Sequence, residues 1–320
     1  MRSGGSTMKI DLLSRAQLSI INKNSLRYPL AIAEKDYFLA VVLQIIYSSK
    51  LKDSLVFKGG TAIHHLYLAQ LRFSEDLAFQ TNGKITEDDL RDVFEPYDFL
   101  EILKSYQSDF TLKIKRLKFT GPLGQPNSIK LDVDLTQELI LPAEKAEYKN
   151  VYGVPVTVSA MAVKEIYAEK VRAVNERARY RDFYDLAMMT RPKDFEPEEI
   201  LEILKRKELR KPLSKDSVLE NLEVAEEAKR SGAESLFYRQ ETNEGEMKET
   251  LNGILELIAE RRWRELRRYA SQRAKEMGII SEKDIDRIIH ELRAERGAGE
   301  NYGGMSEKEI DQLIREMKGN

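Results

Sequence analysis

Two short segments carry carboxylates at strand spacing. Residues 72–79 read Arg-Phe-Ser-Glu-Asp-Leu-Ala-Phe and residues 129–134 read Ile-Lys-Leu-Asp-Val-Asp. Both alternate between apolar and polar side chains, the period of a strand that buries one face. On the first, Ser74, Asp76 and position 78 share a face. Two carboxylates placed two residues apart there would jointly hold metal ions that clamp an attacking oxygen and a triphosphate. Asp76 is present, but position 78 is Ala78, and Glu75 points to the opposite face. On the second strand, Asp132 and Asp134 share a face and offer a further metal ligand or a base. The plainer alternative is the polar side of an exposed strand.

Phe57-Lys58-Gly59-Gly60-Thr61 reads as strand, tight turn and helix start. Paired glycines let backbone N–H groups approach a phosphate at a helix N-terminus. The motif is not a Walker P-loop, since no GK[ST] follows at the required spacing, and a plain strand–helix turn is the competing reading. A fourth segment, 169–186, holds Lys170, Arg177, Arg181, Asp182 and Asp185. On one continuous helix, Arg177 and Arg181 lie about 20° to either side of Lys170. Like charges stacked on one stripe repel unless an anion or an acid lies among them. A phosphate-facing role and a solvated face paired with Glu165, Glu169 and Glu176 both remain open at this point.

Composition narrows the chemistry. The chain has 320 residues, no Cys and three His, so thiol catalysis, disulfides and Cys-ligated zinc are excluded. A metal would have to be held by carboxylates, which favours Mg²⁺ or Mn²⁺. With 54 acidic and 52 basic residues, the net charge of -2 argues against a globally basic nucleic-acid binder. Any nucleic-acid contact must come from a local patch. Residues 103–130 provide one candidate, with six Lys or Arg against a single Asp. No apolar run is long enough to span a membrane, and the start lacks the apolar core of a signal peptide. The expected location is cytoplasmic.

The elements that must position these residues follow from periodicity. Residues 34–50 predict a helix with Tyr37, Phe38, Val41, Val42, Ile45 and Ile46 on one stripe. Strands are expected at 54–57, 72–79, 110–119, 129–136 and 151–159, the last near an edge because of Pro155. A helix starting at Thr61 should run to about residue 69. Thr86 to Asp89 resembles a capping box opening another. The alternation in 110–119 slips between Ile114 and Leu117, which predicts a bulge. Helices dominate after 160, at 163–178, 182–190, 197–205 and beyond 216. The expected domains are therefore 1–160, 161–277 and a tail, 278–320. The tail repeats SEKDIDRIIHELR (281–293) as SEKEIDQLIREMK (306–318), two short amphipathic helices that need something to pack against.

Together these segments resemble the nucleotidyltransferase AbiEii toxin family, of type IV toxin–antitoxin systems and the polymerase-β-like superfamily. EKDY (34–37) matches how members begin. VFKGGTAIHHLY (56–67) followed by RFSEDLAF (72–79) matches the pattern GG[ST], spacer, R-[FY]-S-x-D-[IL]-D. IKLDVDL (129–135) resembles a second motif and EKVRAVNERARYRDFYDL (169–186) a third, while Trp263 with Leu266 echoes a fourth. The resemblance spans roughly residues 30–270.

It implies an α/β (α+β) polymerase-β-like core with a mixed sheet, followed by a helical domain. It further implies transfer of nucleotides from an NTP to an RNA 3′ end, notably tRNA, with a cognate antitoxin as partner. Ser74, Asp76, Asp132, Lys170 and Asp182 fall on catalytic positions. Lys58, Gly59, Gly60, Thr61, Arg177 and Arg181 fall on nucleotide-binding ones. Asp76, Asp132 and position 78 would hold the metal. Ala78 departs from the family pattern, so the resemblance implies an impaired transferase. The alternative is a catalytically inactive regulator that binds NTP, RNA or a protein partner.

Overall fold

A computed structural model describes residues 8–190, 197–207, 213–232, 237–242 and 247–253, with 245, 255, 256 and 268. Trp263 and the repeated tail lie outside the described residues. Two helices open the fold, α1 (Arg15–Asn24) and α2 (Leu30–Tyr47). α2 starts earlier than the apolar stripe alone predicts, because Pro29 serves as its N-cap and leaves the following turn free to form. It is buried almost all round.

After α2 come β1 (Leu55–Lys58), the single turn α3 (Gly59–Ala62) and a π-helical turn at Ile63–Tyr67. The expected helix from Thr61 to residue 69 is therefore shorter and wider. Next come β2 (Asp76–Thr81), α4 (Glu87–Phe94), β3 (Leu100–Gln107), β4 (Thr111–Thr120), β5 (Pro126–Asp134), β6 (Glu144–Glu147) and β7 (Thr157–Ala160). The helices α5 (Val163–Glu176), α6 (Tyr180–Thr190), α7 (Pro197–Arg206) and α8 (Lys215–Arg230) complete the named elements. The capping box at α4 forms as read, with Thr86 and Asp89 bonding reciprocally to each other's backbone N–H.

The strands make one seven-stranded mixed sheet in the order β3-β4-β5-β2-β1-β7-β6. β1 with β7 and β2 with β5 are parallel, and the other neighbours are antiparallel. The expected edge strand at 151–159 is instead the short β7, one place in from the edge. Pro155 lies outside it, so its missing N–H costs no ladder bond. The edge is taken by β6, whose Glu-Lys-Ala-Glu sequence carries no apolar alternation.

One face of the sheet is apolar. Phe57, Leu77, Phe79, Leu112, Ile114, Leu117, Phe119, Ile129, Leu131 and Val133 are all buried, and Phe38 of α2 stacks on Phe119 with centroids 4.0 Å apart. The opposite face carries Lys58, Asp76, Ala78, Lys130, Asp132 and Asp134. α5 reaches it at the β1 end, where Lys58 Nζ lies 3.0 Å from Glu169 and 3.6 Å from Asp134. Lys207 joins the same chain of charges, 3.0 Å from Glu169 and 2.7 Å from Glu165. Among the described residues, no helix is long and apolar enough to cross a membrane.

Candidate active site

The parallel pairing of β2 with β5 sets Asp76 opposite Lys130 and Ala78 opposite Asp132. Directly paired residues project to the same side, so Asp76, position 78 and Asp132 share one face of adjacent strands. Ala78 is also paired with Lys58 across β1. Position 78 is thus surrounded by both carboxylate strands and the strand that leads into the glycine turn.

That turn is held tightly. Gly59 has φ +81°, a conformation that side chains disfavour, and a Cβ there would stand 3.0 Å from Ala78 Cβ. A Cβ on Gly60 would stand 2.8 Å from Arg72 Nη2 and 3.0 Å from Ser74 Oγ. The paired glycines therefore let the turn close onto Ser74 and Ala78. The Thr61 hydroxyl donates to the Asp76 carbonyl at 2.6 Å and lies 2.9 Å from Ser74 Oγ. Ser74 and Glu75 precede β2 rather than lying within it, so Ser74 is aimed by Thr61 and not by strand alternation. Glu75 is turned aside by Lys35, whose Nζ lies 2.6 Å away.

Asp76 Oδ1 is buried and has no hydrogen-bond partner among the described residues. Lys130 Nζ approaches it only to 4.0 Å. Burial raises its pKa, and the charge of Lys130 opposes this only in part. Asp132 is about half exposed, with Lys113 Nζ 3.4 Å from its carboxylate. Among the described residues, no three His, Cys, Asp or Glu side chains gather into a metal-holding group. The donors suit one Mg²⁺ bound by one or two carboxylates with phosphate oxygens completing its shell. They do not suit a bridged pair of ions, which needs the carboxylate missing at 78.

The third motif is not the one continuous helix that the stripe of cations requires; it breaks close to where the helices 163–178 and 182–190 are expected to separate. α5 ends at Glu176, and Arg177 is extended at φ -153°, ψ 149°. α6 restarts at Tyr180, so the stripe of Lys170, Arg177 and Arg181 does not exist as helical geometry. The cations converge by side-chain contacts instead. Lys170 Nζ sits 2.7 Å from both Asp182 and Asp185, and Arg177 Nε sits 2.8 Å from Asp182. Burial would raise Asp182, but Lys170 and Arg177 overcome it and hold the group at about 2. Arg181, in the first turn of α6, acts on the charge state of both Glu75 and Asp76.

Asp185 ties these cations to the glycine turn. It receives Arg72 through Nε and Nη2 at 2.7 Å each, and His64 Nε2 at 2.9 Å. Its Oδ2 lies 3.6 Å from the position a Gly60 Cβ would take. Lys170 thus bonds this buried node directly, while Ser74 Oγ faces the same Gly60 position as Asp185 Oδ2. Arg72 and His64 lie outside the site residues that the sequence pattern selects. A buried Arg two residues before Ser74, and a His just after the glycine turn, were the available signals. Lys58 is engaged by Glu169 and Asp134, which ties β1 to α5 and β5.

Residues 41–273 match the family described as nucleotidyl transferase AbiEii toxin, Type IV TA system. The chain belongs to this family. Among solved structures, it is similar to MenT4, the nucleotidyltransferase toxin Rv2826c from Mycobacterium tuberculosis H37Rv. The TM-score is 0.57 at 18% identity, covering 76% of this chain and 89% of that one. A second similar structure is JHP933 from Helicobacter pylori, with TM-score 0.47, 17% identity, and coverage of 76% and 97%. Comparison with curated sequences gives no match. The MenT4 likeness shows that this AbiEii member has the fold of a nucleotidyltransferase toxin.

Proposed function

We propose that this AbiEii protein binds an NTP between the Gly59–Gly60 turn and the Lys170 cluster, and transfers its nucleotidyl group to an RNA 3′ end, with tRNA as the expected acceptor. The observation that carries the reading is that Lys170 Nζ lies 2.7 Å from Asp185, whose Oδ2 faces the same Gly60 position as Ser74 Oγ, and that Thr61 bridges Ser74 to Asp76, whose Oδ1 has no hydrogen-bond partner among the described residues. Ser74 and the N–H groups of the turn hold β- and γ-phosphate oxygens. Asp76 and Asp132 would hold Mg²⁺ or Mn²⁺, which when bound would supply charge neutralisation at the triphosphate. The RNA hydroxyl oxygen forms a bond to the α-phosphorus and loses its proton to water. The bond from that phosphorus to the β-phosphate bridging oxygen breaks, and pyrophosphate leaves. Lys170 and Arg177 offset the charge that builds there, so catalysis is positioning plus electrostatics.

Ala78 limits this activity. A second carboxylate opposite Asp132 would complete the pair able to bridge metals, so the chain with Ala78 is a slow transferase. Ala78 also favours a second reading, an inactive NTP- or RNA-binding regulator. As a toxin-family member, the chain has a cognate antitoxin as its expected partner, and the cytoplasm as its place of action.

Calorimetry with each NTP tests the binding step. We expect Mg²⁺-dependent binding that Asp76→Asn weakens at least tenfold, because the mutation removes a charged ligand worth more than about 1.4 kcal/mol. Equal affinity with and without Mg²⁺, unchanged in Asp76→Asn, would remove the metal from the site.

A further inference from the structure

The open end of the polar sheet face contains a bulge that gathers positive charge. On β4, Ile114 pairs with Leu131 of β5 and Leu117 pairs with Ile129. Lys115 and Arg116 are therefore both opposite the single residue Lys130. Ile114 and Leu117 are buried on the apolar side, while Lys115, Arg116 and Lys130 are all exposed. Without the bulge, strand alternation would send one of the two β4 cations into the core.

The register extends this cluster in both directions. Lys130 pairs with Asp76 on β2, and Arg116 pairs with Lys104 on β3. A row of cations thus crosses three strands from the Asp76 carboxylate to the sheet edge. A parallel row runs Ala78, Asp132, Lys113, Tyr106. Tyr106 is 48% exposed, and Lys115 Nζ sits 5.1 Å from its ring centroid. The distance from β2 to β3 is about 14 Å at the usual strand spacing.

Like charges placed directly across a sheet cost stability, and here three stand together in water. The nearby acids offset them only in part: Lys130 Nζ reaches Asp76 at 4.0 Å, while Asp132 faces Lys113 at 3.4 Å and Glu101 faces Lys118 at 2.8 Å. A basic track with an exposed aromatic ring along it matches the requirements of single-stranded nucleic acid: cations for successive phosphates and a ring for a base to stack on. Duplex RNA offers no unpaired base to that ring.

We propose that the unpaired 3′ end of the acceptor RNA lies across this row, with Lys104, Lys115, Arg116 and Lys130 on its phosphates and Tyr106 under a base, delivering the terminal hydroxyl to Asp76. This rests on the transferase reading and names the form of RNA that reading needs.

Fluorescence anisotropy of the full-length protein with a 5′-labelled single-stranded RNA, over a range of salt, tests it. The variants are Tyr106→Ala, Tyr106→Phe and the double variant Lys115→Ala/Arg116→Ala, all at exposed positions, with folding checked by thermal melting. Losing two phosphate contacts should flatten the slope of log affinity against log salt by about 1.4 for a single strand. Tyr106→Ala should weaken binding at least about fivefold, while Tyr106→Phe keeps it. A blunt duplex of the same sequence should bind more weakly and be indifferent to Tyr106. NTP binding should be unchanged in every variant. Wild-type affinity and salt slope in all variants would overturn the proposal, even if the protein proves to be a transferase. If NTP binding fails in the wild type but the RNA effects appear as stated, the RNA face stands and the transferase reading falls.

Discussion

Position 78, on which the proposed chemistry turns, is also the position the glycine turn presses against. A Cβ on Gly59 would meet Ala78 Cβ at 3.0 Å, so a carboxylate introduced at 78 would start directly beneath the proposed phosphate loop. Gly60 is constrained from the other side by Arg72 and Ser74. Gly60→Ala should therefore destabilise the fold by about 1–3 kcal/mol through overpacking and weaken NTP binding. Urea denaturation together with calorimetry checks both, and wild-type values for the two would mean that the turn is looser than described. The residue-scale chemistry was largely legible in the sequence because strand alternation assigns faces directly: Asp76, position 78 and Asp132 share a face as expected. Ser74 was named from the sequence, but its placement was not legible: it lies before the strand and is positioned by Thr61. The Asp185 node was equally hidden, since it joins residues 113 and 121 positions apart in the chain.

The elements divide by how local their causes are. The β4 bulge and the α4 capping box appear where the sequence puts them, because each is written within a few residues. β3 was missed because two register shifts between Ile102 and Ser105 break its alternation. The interruption after Glu176 falls within two residues of the break expected between helices 163–178 and 182–190, although 177–179, Arg-Ala-Arg, holds neither Gly nor Pro, and only the expected stripe of cations runs through it. At the break Arg177 is extended and its Nε reaches Asp182, five residues on. Long-range packing also fixes the loop after β4. A Cβ on Gly121 would overlap Phe38 and stand 2.7 Å from Glu34 Oε1, which accepts the Leu123 N–H at 2.7 Å. Gly121→Ala should cost about 1–3 kcal/mol by forcing Phe38 off its stack on Phe119. Denaturant midpoints decide this, and a shift below about 0.5 kcal/mol would show that the loop moves freely away from α2.

The molecule as a whole carries its acid sensitivity in the buried network around the site. Burial and the Arg72 charge hold His64 at about 4, although Asp185 pulls it upward. The unfolded chain takes up a proton near its ordinary 6.5 that the fold refuses until about 4. Stability from this group is thus complete above about pH 6.5 and is lost as pH falls to about 4. Burial would also raise Glu169, but Lys58 and Lys207 overcome it and hold it at about 2, as Lys170 and Arg177 do for Asp182. These two add a further loss below the ordinary carboxylate range. Melting temperature should fall from pH 6.5 to 4 in the wild type, and less steeply over that window in His64→Gln. Equal slopes would place the acid sensitivity elsewhere. A transferase whose rate is limited by the missing carboxylate should speed up when that carboxylate is restored. Labelled NTP, Mg²⁺ and an RNA pool are incubated with wild type and with Ala78→Asp, both shown by melting to be folded. Ala78→Asp should label RNA at least about a hundredfold faster, since completing a metal clamp is worth several kcal/mol of transition-state stabilisation. Folded Ala78→Asp that binds NTP with Mg²⁺ yet labels no RNA would contradict the account and leave the inactive regulator in its place.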